Sequence, residues 1–586
     1  MILPRLRPQK KAPTLHLRMQ STTPTFRKSQ KSSNNGTLGV EYRPGELKYT
    51  QGGDWNGITQ KLDYIKDLGV TAIWISPPSE NELLSRDGEE SGYHGYFTHN
   101  YNSADPHYGT KEDLINLVST AHEKGLKVIL DVVPNHTADY FNGSSSTYDS
   151  DSYQPAAPFN NPDWYHHFGD ITDWSDENQV LNYDLGGLDD LNQDNPDARQ
   201  AIKDAYKAWV EDTGADGVRI DAARSLPKDF IQEFENYLGV PSFGEIFVGD
   251  VDYVSDFSNY EWGVLDFPLF FQAREVFAHD ASFTTVKSIF DQDSKYNDVN
   301  HLVTFIDNHD RDRFLCLADD NYQKLRLALT FIFTVRGIPD VYYGTEQNCY
   351  GGGVPTEWAG IANKENREVM PGFDEDGITF KYIQRLTELR KEYACLQTGT
   401  QREMWAEDNI YAFSRRDDSN GQEIISVFNN GTSNETRAIP LRAESSLAVG
   451  TTLTNLLDTS VTATVEAGGI TGKVLNLTIP AKTAWVFTSD NVADYAPPAR
   501  TVTTIRVHYD VGLGNTMYLR GSDYPLTWDS GRSMLNVSSD VWVYETERIG
   551  KGESFELKPL INDTTWSSGN NYTVVGGETI DIYPNF

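Results

Sequence analysis

The chain has 586 residues, 38% of them hydrophobic, which is enough for about two to four domains with cores of their own. Its 85 acidic and 50 basic residues give a formal net charge of −35, which argues against nucleic acid and against a membrane surface as partners. No apolar run approaches the roughly 20 residues that span a bilayer. The three cysteines (Cys316, Cys349 and Cys395) are too scattered for a disulfide framework or a zinc site.

Residues 1–38 differ in composition from the rest of the chain. The segment is rich in lysine and arginine and its first 36 residues contain no acid, whereas the remainder is strongly acidic. It also lacks the apolar core of about 7–15 residues that a secretory signal needs. We therefore predict a basic leader outside the folded units, and a transit peptide, a disordered tail and a misassigned start all remain open.

From about residue 54 onward, predicted helices and strands alternate. A helical pattern over 57–68 precedes an apolar strand at 70–75, and another over 114–124 precedes a strand at 128–133. Further strands are predicted at 217–221, 242–246, 264–267, 302–306 and 340–343. This order predicts parallel strands joined by crossover helices, in an α/β fold with a (β/α)8 TIM barrel over 39–398.

Other segments interrupt or follow this barrel. Residues 136–196 are rich in Asp, Asn, Tyr and Trp and too long for a loop, which predicts a small domain inserted after the third strand. Short strands without helices over 399–490 predict an all-β sandwich. Residues 491–502 read as a linker, and 503–586 as a second all-β domain.

The stretch "GVRIDAARS" at 217–225 places Arg219 and Asp221 on one face of a predicted strand. Taken alone, the pair could be a buried structural ion pair. Other strands of the predicted barrel also end in polar side chains, among them Asp131, Glu245 and Asp310. Because catalytic groups of such barrels gather at the carboxyl ends of the strands, we predict that these side chains form an active site.

Two carboxyl groups in one site are the requirement for cleaving a glycosidic bond. The guanidinium of Arg219 is expected to lower the pKa of Asp221 and keep it ionised, as a nucleophile must be. Glu245 lies between Phe243 and Phe247 in sequence, and an apolar setting is expected to raise its pKa and suit it to act as the acid.

Four stretches of this chain resemble, in order, the four signature regions of the α-amylase family of glycoside hydrolases. They are "DVVPNH" at 131–136, "GVRIDAARS" at 217–225, "FGEIF" at 243–247 and "FIDNHD" at 305–310, and "GYHGYF" at 92–97 and "GIPDVYYGTEQ" at 337–347 resemble flanking motifs. The resemblance covers about 50–490. It implies a retaining mechanism on α-1,4-glucans such as starch, glycogen and malto-oligosaccharides.

The resemblance also implies a role for each motif residue. Asp221 would be the nucleophile, Glu245 the acid/base and Asp310 the group that holds the distorted sugar. The implied substrate-binding residues are Tyr93, His136, Arg219, His309 and Arg367.

The family resemblance further implies a calcium ion between the inserted domain and the barrel, held by hard oxygen ligands. The side chains at the matching positions are Asn135 and Asp190, with the backbone carbonyls of Leu181 and Ser225 as further ligands. Asn135 could instead cap a turn. Many members carry Lys-His where this chain has Arg224-Ser225, but a carbonyl ligand survives a change of side chain.

Residues 503–586 resemble the starch-binding domains that are fused to many amylases. Trp528 and Trp566 would form a platform for a glucan, while Lys558 and Asn571 would bind its hydroxyls. A core position is the alternative for either tryptophan. For Trp566, the polar and turn-like surroundings favour exposure.

Two other functions remain open. Cyclodextrin glucanotransferases resemble this chain closely, but they carry Tyr or Phe in the middle of the cleft where this chain has Gly186, and they usually have a further β-domain. Phe247, an aromatic that transferases favour, leaves transglycosylation possible. A non-catalytic glucan-binding protein is the remote alternative, which the three carboxylates at 221, 245 and 310 argue against.

The same features set expectations for the cellular setting. Asn-x-Ser/Thr sequons suit a secreted glycoprotein, and several occur, among them those at Asn142, Asn430, Asn434, Asn476, Asn536, Asn562 and Asn571. We expect an extracellular monomer that binds no nucleic acid and no membrane, with a plastid or another organelle as the alternative location. The family's first barrel strand is not recognisable before the motif at 92–97.

Overall fold

The computed structural model describes residues 41–150, 152–351, 365–523 and 526–586, and the backbone of 16–19. Eight parallel strands form a closed barrel in which each strand pairs with its neighbours in chain order and the eighth with the first. The barrel strands are His16–Met19, Ala72–Ile75, Lys127–Val132, Gly217–Ile220, Ser242–Gly244, Gly263–Leu265, Leu302–Thr304 and Ile338–Tyr342. The predicted α/β barrel is confirmed.

The first barrel strand lies inside the segment that the sequence analysis assigned to a leader. His16–Met19 pairs in parallel with Ala72–Ile75 on one side and with Ile338–Tyr342 on the other. The prediction missed it because four residues amid basic and polar neighbours show no apolar run, whereas parallel pairing needs only backbone N–H and C=O groups. Residues 1–15 and 20–40, which make up the rest of that segment, lie outside the described part of the chain.

Helices cover the outside of the barrel and connect its strands. Most follow the predicted alternation of strand and helix. The helices are Trp55–Asp67, Lys111–Glu123, Glu177–Asn182, Pro196–Thr213, Lys228–Leu238, Val251–Phe257, Phe267–His279, Thr284–Phe290, Phe314–Leu317, Tyr322–Thr334, Ile378–Glu392 and Ala394–Thr398.

The helix before the fourth barrel strand shows how local sequence sets these elements. The Asn195 side chain accepts from the N–H groups of Asp197 and Ala198, and Pro196 occupies the first helical position, where its missing N–H costs nothing. Gly214 ends the helix at φ 75°, a left-handed conformation that glycine adopts without strain. The chain can then enter the strand Gly217–Ile220 at once, which fixes the position of Arg219.

The segment between the third barrel strand and Pro196 contains little regular structure. Its elements are the helix Glu177–Asn182 and isolated bridges such as His136 with Asp190. A two-stranded hairpin of Ser79–Asn81 and Thr98–Ala104 lies against it, since the N–H of Ala138 donates to the Thr98 carbonyl. This segment therefore stands over the end of the barrel where the strands finish.

An eight-stranded antiparallel β-structure follows the barrel and has its own apolar cluster. Its strands are Thr400–Ala406, Ile410–Arg416, Glu423–Asn429, Glu435–Pro440, Thr452–Asn455, Thr462–Ala467, Lys473–Ile479 and Thr483–Thr488. Residues 489–502 form no regular element, but the backbone of Tyr495 exchanges hydrogen bonds with Thr459.

The C-terminal domain consists of two further sheets around a separate core. One sheet contains Thr503–His508, Leu535–Ser538, Val541–Thr546 and Thr579–Ile582. The other contains Met517–Gly521, Arg532–Ser533, Ser554–Ile561, Thr565–Trp566 and Tyr572–Val575. Among the described helices, none is long and apolar enough to cross a membrane.

Candidate active site

A buried arginine joins three carboxylates at the carboxyl ends of neighbouring barrel strands. Arg219 stands opposite Asp131 in the pairing of the third and fourth strands. Its Nη1 donates to Asp131 Oδ1 at 2.9 Å and to Asp221 Oδ1 at 2.6 Å, and its Nη2 lies 2.7 Å from Glu245 Oε2. Arg219 and Asp221 are thus a real ion pair, and they lie in a cluster of charged groups rather than in an apolar core.

Short backbone contacts fix the two carboxyl-bearing residues beside one another. The N–H of Asp221 donates to the Val132 carbonyl, and the N–H of Glu245 donates to the Ile220 carbonyl. The Glu245 Oε2 atom also accepts from the N–H of Ala222 at 3.1 Å. Both carboxyl groups therefore bind the same guanidinium, which holds them on one side of the cleft.

The ionisation of the two carboxyl groups is set mainly by their burial. Burial raises the pKa of Glu245, as predicted, and the nearby Asp310 adds to the rise. Burial also raises the pKa of Asp221 well above its ordinary range, and the Glu245 carboxylate adds to this, whereas Arg219 lowers it. The prediction that Arg219 gives Asp221 a low pKa is therefore wrong in its net direction, because it left out desolvation and crowding by like charges.

Asp310 follows the seventh barrel strand, Leu302–Thr304. Its Oδ1 accepts from Arg367 Nη2 at 3.1 Å, and its Oδ2 lies 2.8 Å from His309 Nε2. Its side chain is 34% exposed, so it is the most accessible of the three predicted catalytic carboxyls. Burial lowers the pKa of Arg367, but the interactions with Tyr93 and Asp310 outweigh it, so the pKa is raised above its ordinary value.

The remaining predicted sugar-binding residues surround these carboxyls. His136 is buried with its Nε2 3.9 Å from Asp221 Oδ2, and burial lowers its pKa to about 4, so that the ring is neutral at neutral pH. Tyr93 is buried, accepts from Arg367 at its hydroxyl at 3.4 Å, and has a pKa that burial raises to about 12. The structure therefore brings together all eight predicted catalytic and substrate-binding residues.

The sequence analysis missed three side chains that orient this group. Tyr96 donates its hydroxyl to Asp131 at 2.8 Å and stacks on the His309 ring at 5.6 Å. Trp74 donates to Asp131 at 3.1 Å. Asn366 donates to the His309 carbonyl at 2.6 Å. Asp131 was predicted to belong to the active site, but it was given no specific role. The "GYHGYF" motif contained Tyr96, whereas nothing in the sequence marked Asn366.

Two open cavities adjoin these residues. One of about 400 Å³ includes Phe97, Ala138 and Gly186 in its lining. Another of about 840 Å³ includes Trp174, Arg224 and Tyr253. The second lies beside the backbone of Glu245, since the N–H of Arg224, one of its lining residues, donates to the Glu245 carbonyl. The Arg224 guanidinium lies 5.2 Å from the Trp174 ring, which is 47% exposed.

The four residues predicted to hold calcium form two pairs, and in each pair the two segments contact one another. The N–H of Leu191 donates to the Asn135 carbonyl at 2.9 Å, which brings Asp190 beside Asn135. The helix Glu177–Asn182, which contains Leu181, packs against the turn Ala223–Ser225. Asn135 and Asp190 are both buried.

The chemistry of Asn135 and Asp190 fits a hard cation. Within the described ranges, neither Asn135 Oδ1 nor Asp190 Oδ1 receives a hydrogen bond, so two buried oxygens are available to a cation. The other oxygen of Asp190 lies 2.7 Å from His166 Nδ1. Burial raises the pKa of Asp190 well above its ordinary range. No cluster of three or more His, Cys, Asp or Glu in the described part of the chain has metal-binding geometry, so the candidate rests on mixed amide, carboxyl and carbonyl oxygens.

Trp528 and Trp566 are both exposed, at 38% and 42%, on the C-terminal domain. Their ring centroids are 6.4 Å apart with an interplanar angle of 32°. Arg520 links the two segments, since it donates to the Trp528 carbonyl and lies 5.3 Å from the Trp566 ring. The core alternative for these tryptophans is therefore wrong. Lys558 donates to the Gly569 carbonyl and Asn571 to Glu556.

A family model described as "Alpha amylase, catalytic domain" matches residues 23–376. A beta/alpha-amylase of Paenibacillus polymyxa is 38% identical over 467 residues, which is 78% of this chain. The chain spans 36% of the length of that protein. A cyclomaltodextrin glucanotransferase of Bacillus sp. (strain 38-2) is 30% identical over 583 residues, or 90% of this chain and 79% of the relative.

Solved structures show the same similarity. The α-amylase of Geobacillus thermoleovorans complexed with acarbose superposes with a TM-score of 0.66 at 29% identity, over 81% of this chain and 97% of that one. CldA, a cyclomaltodextrin glucanotransferase with a three-domain ABC distribution, superposes with a TM-score of 0.73 at 30% identity, over 82% of this chain and all (100%) of that one.

Proposed function

Since this chain belongs to the α-amylase family of glycoside hydrolases, we propose that it hydrolyses internal α-1,4-glucosidic bonds of starch, glycogen and malto-oligosaccharides. The observation that carries the proposal is the single guanidinium of Arg219 bound to both Asp221 and Glu245. Two carboxyl groups held side by side are the arrangement of a retaining glycosidase, in which one attacks and the other transfers the proton. The solved structure with acarbose supports a glucan-like ligand.

In the proposed reaction, Glu245 gives its proton to the glycosidic oxygen while an Asp221 oxygen bonds to the anomeric carbon. The bond between the anomeric carbon and the glycosidic oxygen breaks, and its electron pair stays on the glycosidic oxygen of the leaving glucan. Water then attacks the anomeric carbon, Glu245 takes the proton of the water, and the Asp221 ester is released. The raised pKa of Glu245 suits it to hold a proton before the first step.

The surrounding residues would bind the sugar at the cleavage point. Neutral His136 can donate a hydrogen bond without adding charge beside Asp221. Asp310, held by Arg367, presents a carboxylate to sugar hydroxyls. The cavities beside Gly186 and Arg224 would take the glucan on the two sides of the cleaved bond.

We also propose that calcium binds between the inserted segment and the barrel. Asn135 and Asp190 would supply side-chain oxygens, and Leu181 and Ser225 would supply carbonyls. When bound, the ion would neutralise the buried Asp190 carboxylate and tie the two segments together. Its role would be structural.

On the C-terminal domain, we propose a glucan platform formed by Trp528 and Trp566. Aromatic rings of this kind offer apolar faces to pyranose rings, and Lys558 and Asn571 would bind hydroxyls beside them. The support is the exposure of both rings and their shared contacts with Arg520.

Cyclodextrin glucanotransferase activity is the second candidate, favoured by the similarity to several enzymes of that name. The short linker at 489–502, which leaves no room for another β-domain between the sandwich and the C-terminal domain, does not argue against it, because CldA is a transferase with three domains. Gly186 does argue against it, since its exposed position in the cleft offers no ring on which a glucan could curl. We therefore propose linear products.

We further propose that the protein is a monomer and is exported. Most of the sequon asparagines are exposed, as glycosylation requires. Asn430 is an exception, because it is buried and its Nδ2 donates to the Val276 carbonyl.

The proposed function is tested by reducing-sugar release from soluble starch. The unaltered protein should release it, and Asp221→Asn should lose at least about 10³ in kcat, because a neutral amide cannot form the glycosyl ester. Circular dichroism and melting should show the fold retained. Near-normal turnover by the purified variant would show that Asp221 is not the nucleophile.

A further inference from the structure

The C-terminal domain packs directly on the barrel through a largely polar interface. Arg326 of the helix Tyr322–Thr334 makes two hydrogen bonds to Glu547, at 2.8 and 2.9 Å. The Glu547 side chain is only 4% exposed. Nearby, the Tyr544 hydroxyl donates to Asp320 at 3.3 Å. A domain that merely hung from the linker would not need a buried ion pair with the barrel.

Two arginines of this domain extend into the loop that follows the eighth barrel strand. Arg548 donates to the Asn348 carbonyl. The Arg532 guanidinium lies 3.6 Å from the centroid of the Tyr350 ring and also donates to its hydroxyl. Tyr350 is fully buried. The C-terminal domain thus forms part of the packing of residues 344–351.

That loop in turn supports the segment that contains Arg367. The N–H of Gly351 donates to Glu368 Oε1 at 2.9 Å, and the Tyr343 hydroxyl donates to the Glu368 carbonyl at 2.9 Å. A Cβ at Gly351 would lie 3.2 Å from Asn366 Cα, so the two backbones are in close contact. A shift of the loop would therefore be felt at residues 365–368.

The same segment positions the catalytic carboxyl Asp310. Arg367 donates to Asp310 at 3.1 Å and to the His309 carbonyl at 2.9 Å. Asn366 donates to the His309 carbonyl at 2.6 Å. The contacts form a continuous path from Arg532 and Arg548 to the residue that would hold the distorted sugar.

We propose that Arg532 and Arg548 are positioning residues for catalysis, through which the C-terminal domain holds the loop 344–351 and thereby Asp310. The role of Asp310 in this statement rests on the proposed function. The C-terminal domain would then have a second task beside the proposed glucan binding, because it would support turnover even of a soluble substrate that never contacts Trp528 or Trp566.

The test compares Arg532→Met/Arg548→Met with the unaltered full-length protein on maltoheptaose. We expect kcat to fall by about 3- to 30-fold with KM little changed, because the loss is in positioning of a transition-state contact. As single variants, Arg548→Met should lower kcat, whereas Arg548→Lys should keep most of it, since the lysine ammonium can still donate to the Asn348 carbonyl. Arg506→Met, an exposed arginine of the same domain, is the matched control and should behave as the unaltered protein.

Hydrogen exchange provides a readout that does not depend on activity. In the double variant, amides of 343–351 and 365–368 should exchange faster, while those of Lys127–Val132 in the barrel should not change. Unchanged exchange in these segments together with unchanged kcat would overturn the proposal. Faster exchange in a protein that cleaves no α-glucan at all would uphold the coupling and reject the proposed function. A uniform rise in exchange across the barrel would show general destabilisation and would also overturn it.

Discussion

Arg219 explains why the site tolerates so many buried acids. Three carboxyl groups bind its guanidinium, and a buried carboxylate without such a partner would cost several kcal/mol. Burial disfavours the charged forms of these acids, and one cation cannot neutralise three anions. The pKa of both Asp221 and Glu245 is therefore raised. The cluster therefore favours a state in which a proton remains on one carboxyl, which is the state that glycoside cleavage requires.

This electrostatic arrangement predicts the pH dependence of activity. Asp221 must be ionised, so its raised pKa should make activity fall on acidification at a higher pH than for an exposed aspartate. Glu245 must be protonated, so its raised pKa should extend activity to higher pH before the basic limb. Profiles of kcat/KM against pH on soluble starch would check both limbs.

A variant separates the two limbs. Glu245→Gln should lose the basic limb on α-maltosyl fluoride, whose leaving group needs no proton. Its acid limb should move to lower pH, because the Glu245 charge that raises the pKa of Asp221 is gone. Glu112→Gln, an exposed helical residue, is the control and should keep the unaltered profile. An acid limb that stayed in place would contradict the electrostatic account.

Gly186 determines the expected product type. A glucan bends into a ring only if its middle is held, and an aromatic ring holds it by stacking worth about 1 kcal/mol. Glycine offers no such surface, so chromatography of an early starch digest should show mainly linear oligosaccharides. Cyclic products as the main material would contradict the hydrolase assignment and favour the transferase.

The structure shows how a side chain at this position would behave. A Cβ would meet nothing within 4 Å, but φ is +61°, so Gly186→Tyr costs about 1 kcal/mol or more in backbone strain. It should still raise the share of cyclic or transfer products. Gly186→Asn is the control, because asparagine tolerates this conformation and has no aromatic ring, and it should leave the products linear.

At the scale of elements, the sequence predicted those strands whose apolar runs and polar ends are both visible. The strands at 128–133 and 217–221 fall within two residues of Lys127–Val132 and Gly217–Ile220. His16–Met19 escaped because four residues show no periodicity. Asn366 escaped as well, since it acts on the His309 carbonyl from 57 residues away and no local pattern records that contact. Motif residues such as Arg219, by contrast, were predictable because strand ends converge.

Calcium is argued at the same scale, since it would join two segments. Chelation should lower the melting temperature, and added calcium should restore it. At a hundredfold excess over Kd, calcium should add about 2.7 kcal/mol to the free energy of unfolding. Asp190→Ala should remove the response to chelator, whereas Asp163→Asn, an exposed residue of the same segment, should keep it. An equal melting temperature with and without chelator in metal-stripped protein would exclude the site.

At the scale of the whole molecule, the three β-rich and barrel units are packed rather than strung together. The linker residue Tyr495 bonds Thr459 and lies 4.4 Å from Arg385 of the helix Ile378–Glu392. The ion pair of Arg326 with Glu547 fixes the C-terminal domain on the barrel. The pair of Trp528 and Trp566 and the proposed catalytic cleft therefore have a set spacing, which would suit a polymer that touches both.

The exposed rings of Trp528 and Trp566 predict that the C-terminal domain adsorbs to starch. Trp528→Ala/Trp566→Ala should reduce adsorption to granular starch by about tenfold or more, because each ring contributes about 0.5–1.5 kcal/mol of stacking. Activity on soluble malto-oligosaccharides should remain, since neither ring belongs to the barrel cleft. Tyr583→Ala, another exposed aromatic of the same domain at 68% exposure, is the control and should adsorb normally. Adsorption that survived loss of both tryptophans would place glucan binding elsewhere on the molecule, and a matching loss in the Tyr583 variant would point to a broader surface than the two rings.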